Sequence, residues 1–294
     1  MARVFSYTGA MSTRFAFSTN AYGRFQLPAA LRRIAGHGFA GAEVLADRPH
    51  AFAAELSAAR VARIAELLGK LGLSVSTVNA NTACGFFRDA PPEPFFEPSL
   101  ISPRPEWRRW RIGFTKRAID LAAACSAAAV TITAGRCLGP VSPQRAGPLL
   151  SRALDELLAH AERVGGVRLA IEYEPGLFIE RAAELAALID RTGHPLLGAN
   201  LDLGHALVAG DGVSGAVKLL AGRIWSVHLE DLPGGKHYHL APGEGDFPFA
   251  EAKRALAAAG YDGWITWEIY TASAAPDAAA RKAARFSRET WPGL

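Results

Sequence analysis

A (β/α)8 barrel, an α/β fold of the TIM type, is predicted for this 294-residue chain by two observations. Eight apolar runs of strand character alternate with Ala/Leu-rich stretches of helical periodicity, the order of βα units and not of a sandwich. The last four runs also carry acids or a histidine on one parity, as strands lining a lumen do. At 50% hydrophobic and 20% charged residues the chain can bury a large core, and its length suits one barrel of about 250 residues with loops. Disorder is excluded by the same composition.

Taken in order, the strands fall at residues 14–18, 41–46, 74–79, 128–134, 167–174, 197–203, 223–229 and 263–269. Each is a short, largely apolar run, and most carry Val, Ile, Phe, Trp or Thr. Between them, residues 52–71, 143–164 and 178–191 repeat apolar side chains at three- and four-residue spacing, which predicts helices. Two segments break the rhythm. Residues 84–105 are proline-rich and carry Phe86, Phe87, Phe95 and Phe96, and residues 233–248 are rich in Gly, Pro and His. Both follow a strand, so both are expected as long βα loops over the carboxyl face of the barrel. No internal repeat or linker divides the chain, and a single barrel domain over residues 1–294 is expected.

Parity then selects residues. In the fifth strand Val167, Leu169 and Ile171 form the outward set, leaving Arg168, Ala170, Glu172 and Glu174 inward. The sixth gives Gly198, Asn200 and Asp202 inward, the seventh Ser226 and His228, the eighth Thr266 and Glu268. A lone acid at a strand end is usually just solvated. Four adjacent strands each delivering a ligand type are different, because three carboxylates and an imidazole in one lumen repel or pay heavy desolvation unless a cation neutralises them. Glu172, Asp202, His228 and Glu268 are therefore the candidate ligands of one divalent metal ion. An oxygen-rich set with one imidazole suits Mn²⁺, with Mg²⁺, Co²⁺ and Zn²⁺ as alternatives, better than a closed structural zinc site.

Charge and cysteines bound the rest. A net charge of +4 and a pI near 9.1 come from scattered arginines with no like-charge run, so a small anionic substrate is allowed and nucleic acid is not demanded. Cys84, Cys125 and Cys137 fit neither a disulfide framework nor a C-x-x-C metal spacing, which points to a reducing compartment and away from a catalytic cysteine. Residues 1–18 have no signal-peptide character, and nowhere do 18 apolar residues run together. A cytoplasmic protein with no membrane span is expected; the oligomeric state, a homo-oligomer included, is left open.

Five segments resemble one family. Ile171-Glu172-Tyr173-Glu174-Pro175, Asn200-Leu201-Asp202-Leu203-Gly204-His205-Ala206, Val227-His228-Leu229-Glu230-Asp231, the run His239-Leu240-Ala241-Pro242-Gly243-Glu244-Gly245-Asp246, and Trp267-Glu268-Ile269 stand in the order and spacing of the sugar phosphate isomerase/epimerase family. These are the xylose-isomerase-like barrels, among them hydroxypyruvate isomerase, ketose 3-epimerases, inosose dehydratase and endonuclease IV. The resemblance covers nearly the whole chain. It implies the same four metal ligands, with Glu172 and Glu268 also the proton-transfer pair, while Glu174, on the same face, stays open as an alternative ligand or substrate contact.

The neighbours weigh differently. His205, three residues after Asp202, lines the site in the resembling proteins, against a plain helix-capping role. His239 in the seventh loop is expected to point back at metal or substrate, with His237 behind it. Arg136, at the end of the fourth strand, is a candidate grip on an anionic or hydroxylated substrate. His37, His50, His160 and His194 are expected in structural or solvated places.

A metal-bound polyol flanked by two carboxylates implies proton transfer next to a carbonyl. The first expectation is an isomerase or epimerase acting on a small sugar-like substrate. The second is a dehydratase or lyase on a cyclitol, a dehydroshikimate-like acid or a glycoside. A three-zinc abasic-site nuclease is disfavoured, because Ala46, Asp47, Asn79 and Asn81 stand where that enzyme type needs further histidines.

Overall fold

The computed structural model describes residues 14–89 and 96–291. Eight parallel strands, β1 (Arg14–Ser18), β2 (Gly41–Leu45), β3 (Ser74–Asn79), β4 (Ala129–Ile132), β5 (Arg168–Glu172), β6 (Leu197–Asp202), β7 (Ile224–Leu229) and β8 (Trp264–Trp267), close into a barrel in chain order. Helices α1 (Leu27–Gly36), α2 (Ala58–Leu71), α3 (Pro105–Ala124), α4 (Pro143–Arg163) and α5 (Ala182–Thr192) cross between successive strands up to β6. The unit after β6 has two helices, α6 (Leu203–Val208) and α7 (Val213–Leu220); α8 (Phe249–Ala258) precedes β8 and α9 (Pro276–Thr290) follows it. Every strand therefore ends on the same face, where the βα loops gather. Phe95 of the third loop lies outside the described residues.

The expected strands form with trimmed ends. The fourth, fifth and eighth are shorter than read, and β8 stops at Trp267, so Glu268 stands one residue beyond its strand. Its amide still donates to the Leu229 carbonyl at 3.1 Å, which carries the barrel's pairing up to the acid. The helix read at 52–71 begins only at Ala58, where the Ser57 hydroxyl caps it by accepting from the Arg60 amide. Phe52 is spent instead on Trp110 and Phe114 of α3, at ring separations of 6.3 and 5.8 Å. Likewise residues 178–181 belong to a loop, where Phe178 donates its amide to Gly135 and Ile179 accepts from Glu174.

The core sits between strands and helices. Leu150, Leu154, Leu157, Leu158 and Ala161 recur on the buried side of α4, and small residues, Ala279, Ala280, Ala283 and Ala284, on that of α9. Fully buried Trp267 of β8 ties α9 to the barrel by donating its indole N–H to Ser287 Oγ at 2.9 Å. The lumen is polar by contrast. Thr266 donates to Ser76 across it at 3.0 Å, and Ser226 hydrogen-bonds to Asn200. Two register shifts mark it, one between β2 and β3 at Ala42/Val44 and one between β6 and β7 at Ala199/Asn200. Shifts of this kind re-aim a side chain, and both fall beside residues of the site described below.

Two buried aspartates shape the loops above the lumen. Asp47 accepts backbone N–H groups from Cys84 and Gly85, holding the start of the third loop. Asp231 accepts from the amides of Leu232, Gly243, Glu244, Gly245 and Phe247, all at 2.8–3.1 Å, and so closes the seventh loop on itself. Gly245 has to be glycine in that loop, because a Cβ there would overlap the Leu232 carbonyl. Among the described residues no helix is long and apolar enough to cross a membrane.

Candidate metal centre

At the carboxyl end of the barrel, β5 and β6 end on Glu172 and Asp202, β7 carries His228 and the residue after β8 is Glu268. Each of these four offers a ligand atom within 4.8 Å of all the others, and all four are buried. In register Asp202 stands level with His228, while Glu172 stands level with Asn200, whose amide it accepts.

Hydrogen bonds then fix which atoms face inward. Glu172 Oε2 accepts from Asn81 Nδ2 at 2.8 Å and from Asn200 Nδ2 at 2.6 Å, which leaves Oε1 without an amide partner. Glu268 repeats the pattern: Oε1 accepts from Asn20 at 2.9 Å and Asn79 at 3.2 Å, and Oε2 is free to face His228 Nδ1 at 3.4 Å. Asp202 Oδ1 caps α6 by accepting the His205 amide at 2.8 Å, whereas its buried Oδ2 has no hydrogen-bond partner. His228 binds Glu43 through Nε2 at 2.7 Å and turns Nδ1 to the cluster. A carboxylate behind a histidine in this way fixes the ring and the tautomer that exposes a lone pair.

Electrostatics without a cation are strained. Burial pushes Glu172 well above the usual carboxylate range, with Glu268, Asp202 and Glu174 adding to it and His228 opposing. Glu268 goes the other way: against burial, the charge and hydrogen bond of His228 and then His239 hold it at about 2. Against the burial of its ring, Glu43, Glu268 and Glu172 raise His228 well above the ordinary histidine value. The cluster thus borrows an imidazolium to balance its carboxylates. An orphaned carboxylate oxygen, two carboxylates each with one oxygen pinned and one free, and an imidazole aimed by an acid all fit a divalent cation of oxygen preference.

Sequence reasoning missed Glu43, although Ala42 and Val44 flank it with outward parity; the fully buried acid also accepts from Ser18 at 2.7 Å and from Thr77 and Asn79. It missed Glu230 as well, which shares the parity of His228. Both of its buried carboxyl oxygens lack hydrogen-bond partners, and burial followed by the charge of Asp202 pushes it well above the usual carboxylate range. A Cβ at Gly204 would overlap Glu230, which explains glycine there.

A cavity of about 360 Å³ opens over the cluster, large enough for a monosaccharide derivative. Asn20, Asn79 and Asn81 form one wall and Glu174, His205, His237, His239 and Tyr270 the other. Glu174 lies at this wall and outside the four-residue cluster, pushed to about 8 by burial and then by Asp202 and Glu268. Arg136 is exposed outside the cavity lining, its guanidinium 5.9 Å from the ring of Phe96, which lines the cavity, and its charge acts on Glu174. The remaining histidines are elsewhere: His37, His160 and His194 pair with Asp277, Asp120 and Glu162, and His50 is buried against the Tyr22 carbonyl.

Known proteins share this architecture. The chain is 26% identical over 252 residues to fructoselysine 3-epimerase of Shigella flexneri, an alignment covering 84% of this chain and 87% of that protein. Among solved structures, a D-tagatose 3-epimerase-like protein superposes with a TM-score of 0.75 at 22% identity, over 94% of this chain and 99% of its own. D-Psicose 3-epimerase in the presence of D-fructose gives 0.77 at 18% identity, over 94% and 98%. At those identities the two structures speak for the fold. The sequence also matches the xylose isomerase-like TIM barrel family over residues 31–290, nearly its whole length. By that match, and by the closed eight-stranded barrel, this chain belongs to the xylose isomerase-like TIM barrel family.

Proposed function

We propose that this chain is a divalent-metal-dependent sugar epimerase that inverts a carbon next to a carbonyl, held by Glu172, Asp202, His228 and Glu268 around its ion. The observation that carries the reading is the matched pair of glutamates. Glu172 and Glu268 come from β5 and the end of β8, strands three places apart in the ring, both line the cavity, and each has one oxygen pinned by two asparagine amides and the other without an amide partner. Inverting a carbon needs a proton removed from one face and another delivered to the opposite face. Two carboxyl groups on separate walls supply both, one leaving its turn as an acid while the other leaves as a carboxylate, so the proton inventory of the pair is unchanged.

The environments also separate the two groups. Glu172 is driven toward its neutral form by burial while Glu268 is kept ionised beside His228, the division of labour that an acid and a base require. Bound at the cluster, a divalent cation supplies Lewis acidity to the carbonyl and neighbouring hydroxyl oxygens of the substrate. Tyr270, Phe96 and Leu45 give the cavity an apolar rim, and Glu174, His205, His237 and His239 offer hydrogen bonds to hydroxyls. The curated relatives are 3-epimerases of a fructosamine, which supports ketoses and their amine conjugates as the substrate class.

The test is proton exchange in D₂O. Metal-loaded protein incubated with a panel of ketohexoses and fructosyl-amino acids should place solvent deuterium at the carbon beside the carbonyl and build up the epimer. Loss of water without an epimer would replace epimerisation by elimination, and no exchange with any member of the panel would reject the substrate class.

A further inference from the structure

Helix α3 carries a charge where its core stripe should be apolar. Arg111 falls at helical spacing on the buried face of Phe114, Ala118 and Ala122, and is itself fully buried. Burial lowers its guanidinium to about 10 against the charges of Asp47 and Glu97, so it stays protonated at neutral pH. The fork holds main chain. Nη1 donates to the Pro98 carbonyl at 3.1 Å, and Nη2 donates to the carbonyls of Ala80 and, at 2.9 Å, Asn81. Those two residues directly follow β3, where the strand ladder ends and carbonyls need new partners.

That turn carries the amides of the site. Asn81 Nδ2 donates to Glu172 Oε2, and the Asn81 main-chain N–H donates to Asn79 Oδ1 at 3.1 Å. A main-chain N–H only donates, so the Asn79 amide must turn its oxygen to Asn81 and its Nδ2 to the acids. Nδ2 then reaches Glu268 Oε1 at 3.2 Å and Glu43 Oε1 at 3.1 Å. One short piece of main chain therefore orients an amide on each of the two glutamates and on the acid behind His228. A single guanidinium of the helix layer holds it in place.

Lysine could not do the same. A planar fork reaches carbonyls at both ends of the third loop at once, whereas an ammonium is a single point. We propose that Arg111 is a positioning residue for the glutamate pair: by clamping the turn at Ala80 and Asn81 it sets, through Asn81 and Asn79, the carboxylates of Glu172 and Glu268. This rests on the proposed role of those two acids around an ion. Asn200 and Asn20 pin the same two oxygens independently of the clamp, so its loss should loosen the centre without dismantling it.

Arg111→Lys keeps the buried charge and most of the stem and removes the fork. In full-length protein stripped of metal, its Mn²⁺ affinity by chelator competition should lie about 10-fold below wild type, as for loss of a group that orients ligands. Asn81→Ala should weaken Mn²⁺ likewise, and the double variant should fall short of the product of the two, because both act along one path. Arg117→Lys, on the same helix but bound to the Ala53 carbonyl at 3.0 Å, should bind Mn²⁺ as the wild type does. With any ketose that exchanges, Arg111→Lys should lower kcat by about 10-fold or more and change KM little. Hydrogen exchange of the wild-type protein needs no variant: Mn²⁺ should slow the amides of residues 79–82 and those around Arg111 together. Wild-type affinity in Arg111→Lys, independent effects of Arg111→Lys and Asn81→Ala, or protection that stops at residues 79–82 would overturn the proposal. Mn²⁺ binding is read without turnover, so a failure of ketose exchange would reject the epimerase reading and leave the clamp to its own result.

Discussion

The two halves of the barrel lining do opposite jobs. Strands β5 to β8 and the residue after β8 present acceptors to the centre, Glu172, Asp202, His228 and Glu268. Strands β1 to β3 and the loops after them present donors and one hidden acid: Asn20, Asn79 and Asn81 hold the two glutamates, joined on Glu172 by Asn200 of β6, and Glu43 holds the histidine. A proposed ligand in one half is thus aimed from the other, over sequence separations as large as 248 residues. The lesson is that a site of this kind is a property of the closed ring. Four ligands on four adjacent strands would be four floppy side chains without the facing wall.

The comparison can be broken hardest on the acceptor side. Glu268→Gln preserves shape and an oxygen toward the proposed ion but removes the basic site, so turnover should fall by about 10²- to 10⁴-fold while the metal is retained at lower affinity. Steady-state rates beside metal content decide it; near wild-type turnover would end the two-carboxylate mechanism.

Breaking the donor side should cost less, and cost it in binding. Glu43→Gln loses the carboxylate behind His228, and metal affinity measured by chelator competition should drop about 10- to 100-fold. A pH series sharpens this. In the metal-free centre Glu43 helps hold His228 above its ordinary value, so an entering ion must displace a proton there and affinity weakens as pH falls below that raised value. Without Glu43 the histidine releases its proton at lower pH. The plateau should fall, yet the acid-side loss of binding should move to lower pH; an unmoved acid limb would mean that Glu43 does not act through His228.

The smallest effect should come from neither half's ligand layer. Glu174→Gln changes a residue at the cavity wall, so metal content should stay at the wild-type level while KM rises a few-fold, by about the 0.5–1.5 kcal/mol of one hydrogen bond. A loss of metal equal to that of Glu172→Gln would exchange the roles of the two acids.

How much of this was legible in sequence follows the same division. Alternation of strands and helices announced the barrel, and period two exposed the acceptor half, because an acid or histidine between apolar neighbours is conspicuous. Glu43 obeyed the same rule between Ala42 and Val44, but a lone acid in a strand that otherwise carries no ligand type draws no notice. The asparagines were less visible still. An amide at a strand end is ordinary, and nothing in the spacing of Asn20 and Glu268 says that ring closure sets them 2.9 Å apart. Trimmed helix starts have a local cause: apolar periodicity runs through residue 52, yet Phe52 packs on α3 and the turn begins at the Ser57 cap.

Asp231 carries a consequence for how such a protein diversifies. Its carboxylate gathers five main-chain amides of the loop it opens, so the loop's path is written in backbone and one acid and owes little to the side chains at its tip. Gly234, Gly235, Lys236 and Tyr238 stand out in solvent on that frame. Selection can therefore rewrite these exposed positions residue by residue while the clasp keeps the loop's ends where they are. In engineering terms the segment is a cartridge, and Asp231 and Gly245 are its fittings.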